Sequence, residues 1–369
     1  MFDDFETEGW KSIPWTGAWQ EQESYPMRTN TQAHSGQYCL AAKNGVWESP
    51  RFPVTPFHYY QLDFYSMITP SGPWSGHWAA FFYDKDGMLL PDHYSSIDAS
   101  HGWLQNSYCF RAKVNAASCA IRLHPEGTDT LYIDDIAVRE VSRAAATRWA
   151  DAYYAQIPPV SLTAAPERCA HLPRTMARLR DGGTLRIVML GDSIINDTGT
   201  APYDLLVERM YPKARLEVIT SVRGGGSCGY YQQENRVKNW VLDYQPDLVM
   251  IGGISNDSAE SVREVIRQIR AKSAVEILVM SGCVSSEKYN PRTVAGLTAI
   301  EPGANDYRSQ LARGAEEAQV EFLDMTAAWA QYILATDKPY EWFQRDRIHA
   351  NDRGRAVLSR ILERYFAPK

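Results

Sequence analysis

The feature that most limits how this 369-residue chain can fold is a change of hydropathy rhythm near residue 142. Before it, apolar and polar residues alternate in short runs: YYQLDFYSMI (59–68), AAFFYDKDG (79–87), CAIRLHPEG (119–127) and LYIDDIAVREV (131–141). Clusters of Gly, Pro, Asn and Ser separate the runs, and alternation between turn signals predicts half-buried antiparallel strands. After it, the strands are apolar throughout: LRIVML (185–190), RLEVIT (215–220), DLVMIGG (247–253), EILVMSG (276–282) and EFLDM (321–325). Amphipathic segments such as YDLLVERMY (203–211) and SAESVREVIRQIRAK (258–272) lie between them. A strand with two apolar faces must be covered on both, which predicts a parallel sheet between helical layers. The chain is therefore expected to be multidomain, with an antiparallel β-sandwich over 1–141 and an α/β domain over 183–369. SRAAATRWADAYYAQI (142–157), stopped by Pro158-Pro159, makes 142–182 a helical bridge.

An apolar content of 44% with 22% charged residues is that of an ordinary folded chain. The net charge of −6 comes without long charge runs, which argues against a nucleic-acid binder. No stretch approaches the roughly 18–20 apolar residues that span a membrane. The N-terminus MFDDFETEGW lacks the basic and apolar regions of a signal peptide. Either the protein stays inside the cell, or it is secreted or periplasmic with its leader absent from this sequence. Six cysteines without C-x-x-C spacing give no zinc pattern and read as small buried hydrophobes, with a Cys109–Cys119 pairing left open.

Residues that could carry chemistry gather just after the strands of the second half, where an open α/β sheet places its site. Ser193 follows the first strand in LGDSIIND, and RGGGSCG (223–229) follows the second. Asn256 and Asp257 follow the third, and RDRIHANDRG (345–354) lies near the C-terminus. A serine nucleophile needs a general base, most often histidine. Six of the eight histidines fall in the β half, which leaves His171 and His349. His171 precedes the first strand, on the expected back of the domain, so His349 is the candidate base. Asp346, three residues earlier, could orient its ring; equally, the two could be a surface pair opening a helix. Ser227, in the G-x-S-x-G pattern GGSCG, is a rival nucleophile, although Arg223-Gly224 separates that pattern from its strand. Ser193 could also be no more than a helix cap.

Taken together, the second half resembles the SGNH, or GDSL-type, esterases and lipases over roughly residues 183–369. The resemblance rests on Gly191-Asp192-Ser193, the Gly-rich block, Gly-Gly-Ile-Ser-Asn-Asp (252–257) and Asp346-x-x-His349, in that order. It implies a three-layer, flavodoxin-like fold with Ser193 as nucleophile, His349 as base and Asp346 as orienting acid, and no cofactor for catalysis. It also implies an oxyanion site made by the backbone N–H of Ser193, a backbone N–H from Gly226 or Ser227, and the Asn256 side-chain amide. The sequence departs from the family pattern in one place of consequence: two residues, Ile254 and Ser255, stand between Gly253 and Asn256 where one is usual.

Residues 1–141 hold seven of the eleven tryptophans, which are either core or exposed platforms for sugar rings. PSGPWSGHW (70–78) is the best candidate loop, offering Trp74 and Trp78 to substrate. FDDFETEGW, HSGQYCLAA (34–42) and LYIDDIAV (131–138) resemble the jelly-roll carbohydrate-binding modules of polysaccharide-degrading enzymes. That resemblance implies a structural calcium with Glu6 and Asp134 as side-chain ligands. The expectation for the whole chain is a serine esterase removing O-acetyl groups from an acetylated glycan through an acyl-enzyme. The competing expectations are a lipase or lysophospholipase, and a glycan-binding protein on a non-catalytic hydrolase scaffold.

Overall fold

The computed structural model describes residues 2–3, 5, 9–13, 27–43, 46–68, 76–125, 130–159, 162, 165–284 and 294–368. Two compact units divide at Ala150/Asp151, within the helix Arg143–Tyr154 and so inside the expected 142–182 bridge. Among the described residues, no helix is long and apolar enough to cross a membrane.

The first unit is an antiparallel, jelly-roll-like sandwich of two sheets. One runs Ser100–Arg111, Tyr59–Ile68, Leu131–Val141, Cys39–Ala42, Met27–Thr29, with Phe2–Asp3 also paired to Leu131–Val141. The other runs Lys11–Ile13, Val46–Glu48, Ser118–Pro125, Gly76–Tyr83, His93–Ile97, with Phe52–Pro53 also paired to Ser118–Pro125. Tyr59–Ile68 shows why alternation predicts strands: Leu62, Phe64, Ser66 and Ile68 are buried, while Asp63, Tyr65 and Met67 are only partly so. Trp78 corrects an expectation. It is fully buried, stacked on His93 (5.0 Å) and Tyr108 (4.9 Å), so it is a core residue and not a sugar platform. The reason is that Trp78 belongs to the strand Gly76–Tyr83 and packs against Tyr108 and Phe110 of the opposite sheet. Trp74 lies outside the described residues, as does Glu6. The other expected calcium ligand, Asp134, is buried with its carboxylate accepting the N–H groups of His34 (2.8 Å), Ser35 (3.2 Å) and Asp135 (2.8 Å). Three N–H groups thus hold the Asp134 carboxylate in place, and among the described residues there is no group of three or more His, Cys, Asp or Glu that could hold a metal. All six cysteines are buried as thiols, Cys109 and Cys119 included.

The second unit is built on five parallel strands: β1 (Gly183–Gly191), β2 (Ala214–Val222), β3 (Leu248–Gly252), β4 (Glu276–Met280) and β5 (Glu321–Leu323). Their order is β2-β1-β3-β4-β5, the flavodoxin-like arrangement, whose switch point lies between β1 and β3. Ile187, Met189, Leu216, Val218, Met250, Leu278 and Met280 share one core with Tyr203, Val207, Trp329, Leu358 and Leu362 of the helices. The alternate residues Val188, Leu190, Val249, Ile251, Ile277 and Val279 are buried as well, which is why these strands read as continuously apolar. At the other end of the sheet, buried Glu276 accepts the N–H groups of Arg174 (2.9 Å) and Thr175 (2.6 Å), and Glu321 those of Cys169 (2.6 Å) and His171 (2.8 Å). His171 is thereby fixed at the start of β5, opposite the strand ends that carry Ser193.

Candidate active site

Ser193 is the first residue of the helix Ser193–Thr200, immediately beyond β1. The N-cap is Asp192, whose carboxylate accepts the N–H of Ile194 (3.0 Å) and both the N–H (2.9 Å) and O–H (2.8 Å) of Ser255. One carboxylate thus ties the turn after β1 to the turn after β3. Burial pushes the Asp192 carboxyl up, and the Ser255 and Ile194 donors offset this only in part. The turns approach so closely that side chains are excluded. A Cβ on Gly191 would stand 2.3 Å from Gly252 O; one on Gly253, at φ +107°, would stand 2.4 Å from Asp192 Oδ1.

His349 Nε2 lies 2.8 Å from Ser193 Oγ across 156 residues of sequence. Its Nδ1 lies 2.8 Å and 3.0 Å from the two Asp346 oxygens. Asp346 Oδ1 also accepts the backbone N–H groups of Ile348 and His349, both at 2.9 Å, which closes the loop around its own carboxylate. Burial alone would raise the Asp346 carboxyl. The hydrogen bond to His349, its charge and that of Arg345 outweigh burial and hold Asp346 well below the usual carboxylate range. With Nδ1–H donated to Asp346, the tautomer inferred from this network leaves the Nε2 lone pair facing the serine hydroxyl.

A residue that sequence reasoning missed holds this loop. Asp197, fully buried and four residues after Ser193, accepts from Arg345 Nη1 (2.8 Å), Arg355 Nη2 (3.1 Å) and the Ala350 N–H (2.9 Å). Arg345 also donates to Ala350 O (2.7 Å), and Arg355 to Thr200 Oγ1 (3.0 Å). The helix carrying Ser193 and the loop carrying Asp346 and His349 are therefore clamped by one buried carboxylate between two guanidiniums. The sequence offered only an acid one helical turn beyond the serine and arginines around Asp346-x-x-His349, with nothing local to join them.

The expected oxyanion donors divide. Asn256 is buried, but its amide donates to Gly252 O (3.0 Å) and Gly253 O (3.3 Å) while its oxygen accepts the Cys228 N–H (2.8 Å). Asn256 thus braces the turns after the second and third strands, with its amide donating to two backbone carbonyls. Gly226 is likewise engaged, its N–H donating to Arg223 O at 2.7 Å in a tight turn. The N–H groups of Ser193 and Ser227 have no acceptor among the described residues. Ser227 itself caps the short helix Cys228–Tyr231, and no His or Asp partners its hydroxyl among the described residues. The histidine is brought to Ser193, not to Ser227.

No curated protein matches this chain. Among solved structures, a two-domain esterase (CEX) active on acetylated mannans is 18% identical with a TM-score of 0.42, over 54% of this chain and 52% of that one. This chain therefore spans about half the length of that esterase. A CBM22-1 xylan-binding domain from Paenibacillus barcinonensis Xyn10C is 14% identical with a TM-score of 0.29, over 38% of this chain and 94% of that one. Residues 189–357 match the model of the GDSL-like Lipase/Acylhydrolase family, a span that includes Ser193, Asp197, Asn256, Asp346 and His349. Over that span the second unit is similar to the GDSL-like Lipase/Acylhydrolase family.

Proposed function

We propose that the second unit is a serine esterase that removes O-acetyl groups from a polysaccharide or oligosaccharide. The observation that carries the reading is the line Ser193 Oγ, His349, Asp346, with both contacts at 2.8 Å. In this reading His349 Nε2 takes the Ser193 proton as Oγ attacks the acetyl carbonyl. The negative charge that develops on the carbonyl oxygen is received by the N–H groups of Ser193 and Ser227, helped by the positive end of the Ser193 helix. Collapse of the tetrahedral species returns the proton from His349 to the departing sugar oxygen and leaves an acetyl-enzyme. Water, deprotonated by the same histidine, then releases acetate. Asp346 stays ionised throughout and stabilises the imidazolium. The glycan half of the reading rests on the sequence resemblance of the first unit to carbohydrate-binding modules.

The test is turnover of nitrophenyl acetate and acetate release from acetylated glycans by S193A and S227A. S193A should lose roughly ten-thousandfold or more in kcat, while S227A, which keeps its backbone N–H, should lose little. Full activity in S193A would refute the mechanism. A nitrophenyl ester series separates a deacetylase, which falls off beyond the shortest acyl chains, from a lipase, which does not.

A further inference from the structure

We propose that the acetylated glycan taken by this site is anionic, with a sugar carboxylate received by Arg223. The proposal rests on the esterase reading and adds the charge of its substrate. Arg223 comes directly after β2, and its backbone N–H donates to Gly191 O at 3.1 Å, which sets it against the turn that carries Ser193 two residues later. Its side chain is exposed and lies 4.6 Å from the centre of the Tyr230 ring. The Arg236 guanidinium lies 3.6 Å from the same ring and donates to Tyr230 O at 2.9 Å. Two guanidiniums therefore share one aromatic ring, and the backbone of one of them is bonded to the turn that precedes the serine. Aromatic contact attracts a cation without cancelling its charge.

Neither guanidinium has a carboxylate partner among the described residues. Elsewhere in this unit Arg186, Arg209, Arg267, Arg308 and Arg345 are each paired with one. The acids among the described residues do not supply the missing charge. Asp192 is buried and occupied by three donors, and Asp346 is held by His349. The exposed side chains of Glu234 and Asp257 pair with neither arginine. On the catalytic loop, Arg347 is also exposed and without an ion pair among the described residues, midway between Asp346 and Ile348. Next to Arg223 the backbone is bare, since a Cβ on Gly224 or Gly225 would meet nothing within 4 Å. This surface is open and carries Arg223 at the strand end bonded to the turn before Ser193. A planar guanidinium fork pairs with a carboxylate through two parallel hydrogen bonds, which a uronate supplies and a neutral hexose does not.

The experiment measures kcat/KM for acetate release from acetylated oligogalacturonides and from acetylated manno-oligosaccharides of the same length, with nitrophenyl acetate as a small neutral reference. Wild type should prefer the uronide by about tenfold or more at low salt, and the preference should shrink as ionic strength rises. R223Q should lower the uronide value about tenfold further than it lowers the nitrophenyl acetate value, and R223K should recover part of the difference because it restores the charge without the fork. R347Q gives a second probe should R223Q fold poorly, and should reduce the same preference. Equal kcat/KM on the two glycans, or the same proportional loss in R223Q on all three substrates, would overturn the proposal. Turnover of nitrophenyl acetate that disappears in S193A would keep the esterase reading intact in that case. Absence of nitrophenyl acetate turnover in wild type would overturn both.

Discussion

Replacing Asp197 by Asn tests whether the buried clamp sets the geometry of the histidine. The substitution is nearly isosteric but removes the charge that faces Arg345 and Arg355, whose side chains are 7% and 2% exposed. An amide also has one acceptor where the carboxylate has two, so the Ala350 N–H and the guanidiniums cannot all be satisfied. Arg355 keeps Asp352 at 3.4 Å, and Arg345 keeps the Ala350 carbonyl at 2.7 Å. Removing one partner of a buried pair typically costs about 3–5 kcal/mol, because the remaining charge is stranded away from water. For a unit of this size each kcal/mol moves Tm by about 2–4 °C, so D197N should melt roughly 6–20 °C below wild type. The loop that loosens is the one holding His349 against Ser193, and a misplacement of about 1 Å can cost on the order of a hundredfold. The assay is scanning calorimetry together with kcat for nitrophenyl acetate, measured below the melting range. D197N within about 2 °C of wild type and with unchanged kcat would refute the clamp.

Other outcomes follow from neighbouring groups. The Asp346 carboxyl is held low in the folded state, so it contributes stability that is present above the ordinary carboxylate pKa of about 4 and lost as pH falls through its folded value. The stability gap between wild type and D346N should therefore be constant above about pH 5 and shrink below it, read from denaturant midpoints. G253A should destabilise by more than about 2 kcal/mol, since its Cβ would meet the Asp192 carboxylate and its φ disfavours any side chain; a wild-type melt would contradict the close approach. W78A should cost the first unit about 3–5 kcal/mol in a melt of the full chain while kcat for nitrophenyl acetate below the transition stays within about twofold.

What could be read from the sequence follows from which interactions are local. Tyr59–Ile68 and Leu131–Val141 show their alternation because each is half-buried, and their bounds match the expected runs. The five apolar strands of the second unit are visible for the opposite reason, being covered on both faces. The helices Tyr307–Glu317 and Met325–Leu334 escaped notice. Tyr307–Glu317 buries Arg308, Ser309 and Gln310 beside its apolar residues, which blurs the helical period. Met325–Leu334 is apolar on most sides, so it has no polar face to mark. At the site, Ser193, Asp346 and His349 could be picked out because residue types with few alternatives stand after strand ends. Asp197 could not, because its meaning lies in arginines roughly 150 positions away. Asn256 misled because a motif specifies residue order and not the direction of the amide, which here donates to Gly252 and Gly253. Trp78 misled because tryptophan in a Gly- and Pro-rich run reads as a loop until strand pairing places it inside.

The 156 residues between Ser193 and His349 have a consequence for how the chain becomes competent. During synthesis the serine, its helix and the first three strands of the second unit emerge well before the loop that carries the histidine. The loop is seated only when the helix Asp352–Phe366 packs beside it and Arg355 reaches Asp197. Until then Ser193 is an ordinary hydroxyl at a helix start. Ester hydrolysis would therefore report completion of the second unit, and a nascent chain would remain inert until its last long helix had docked.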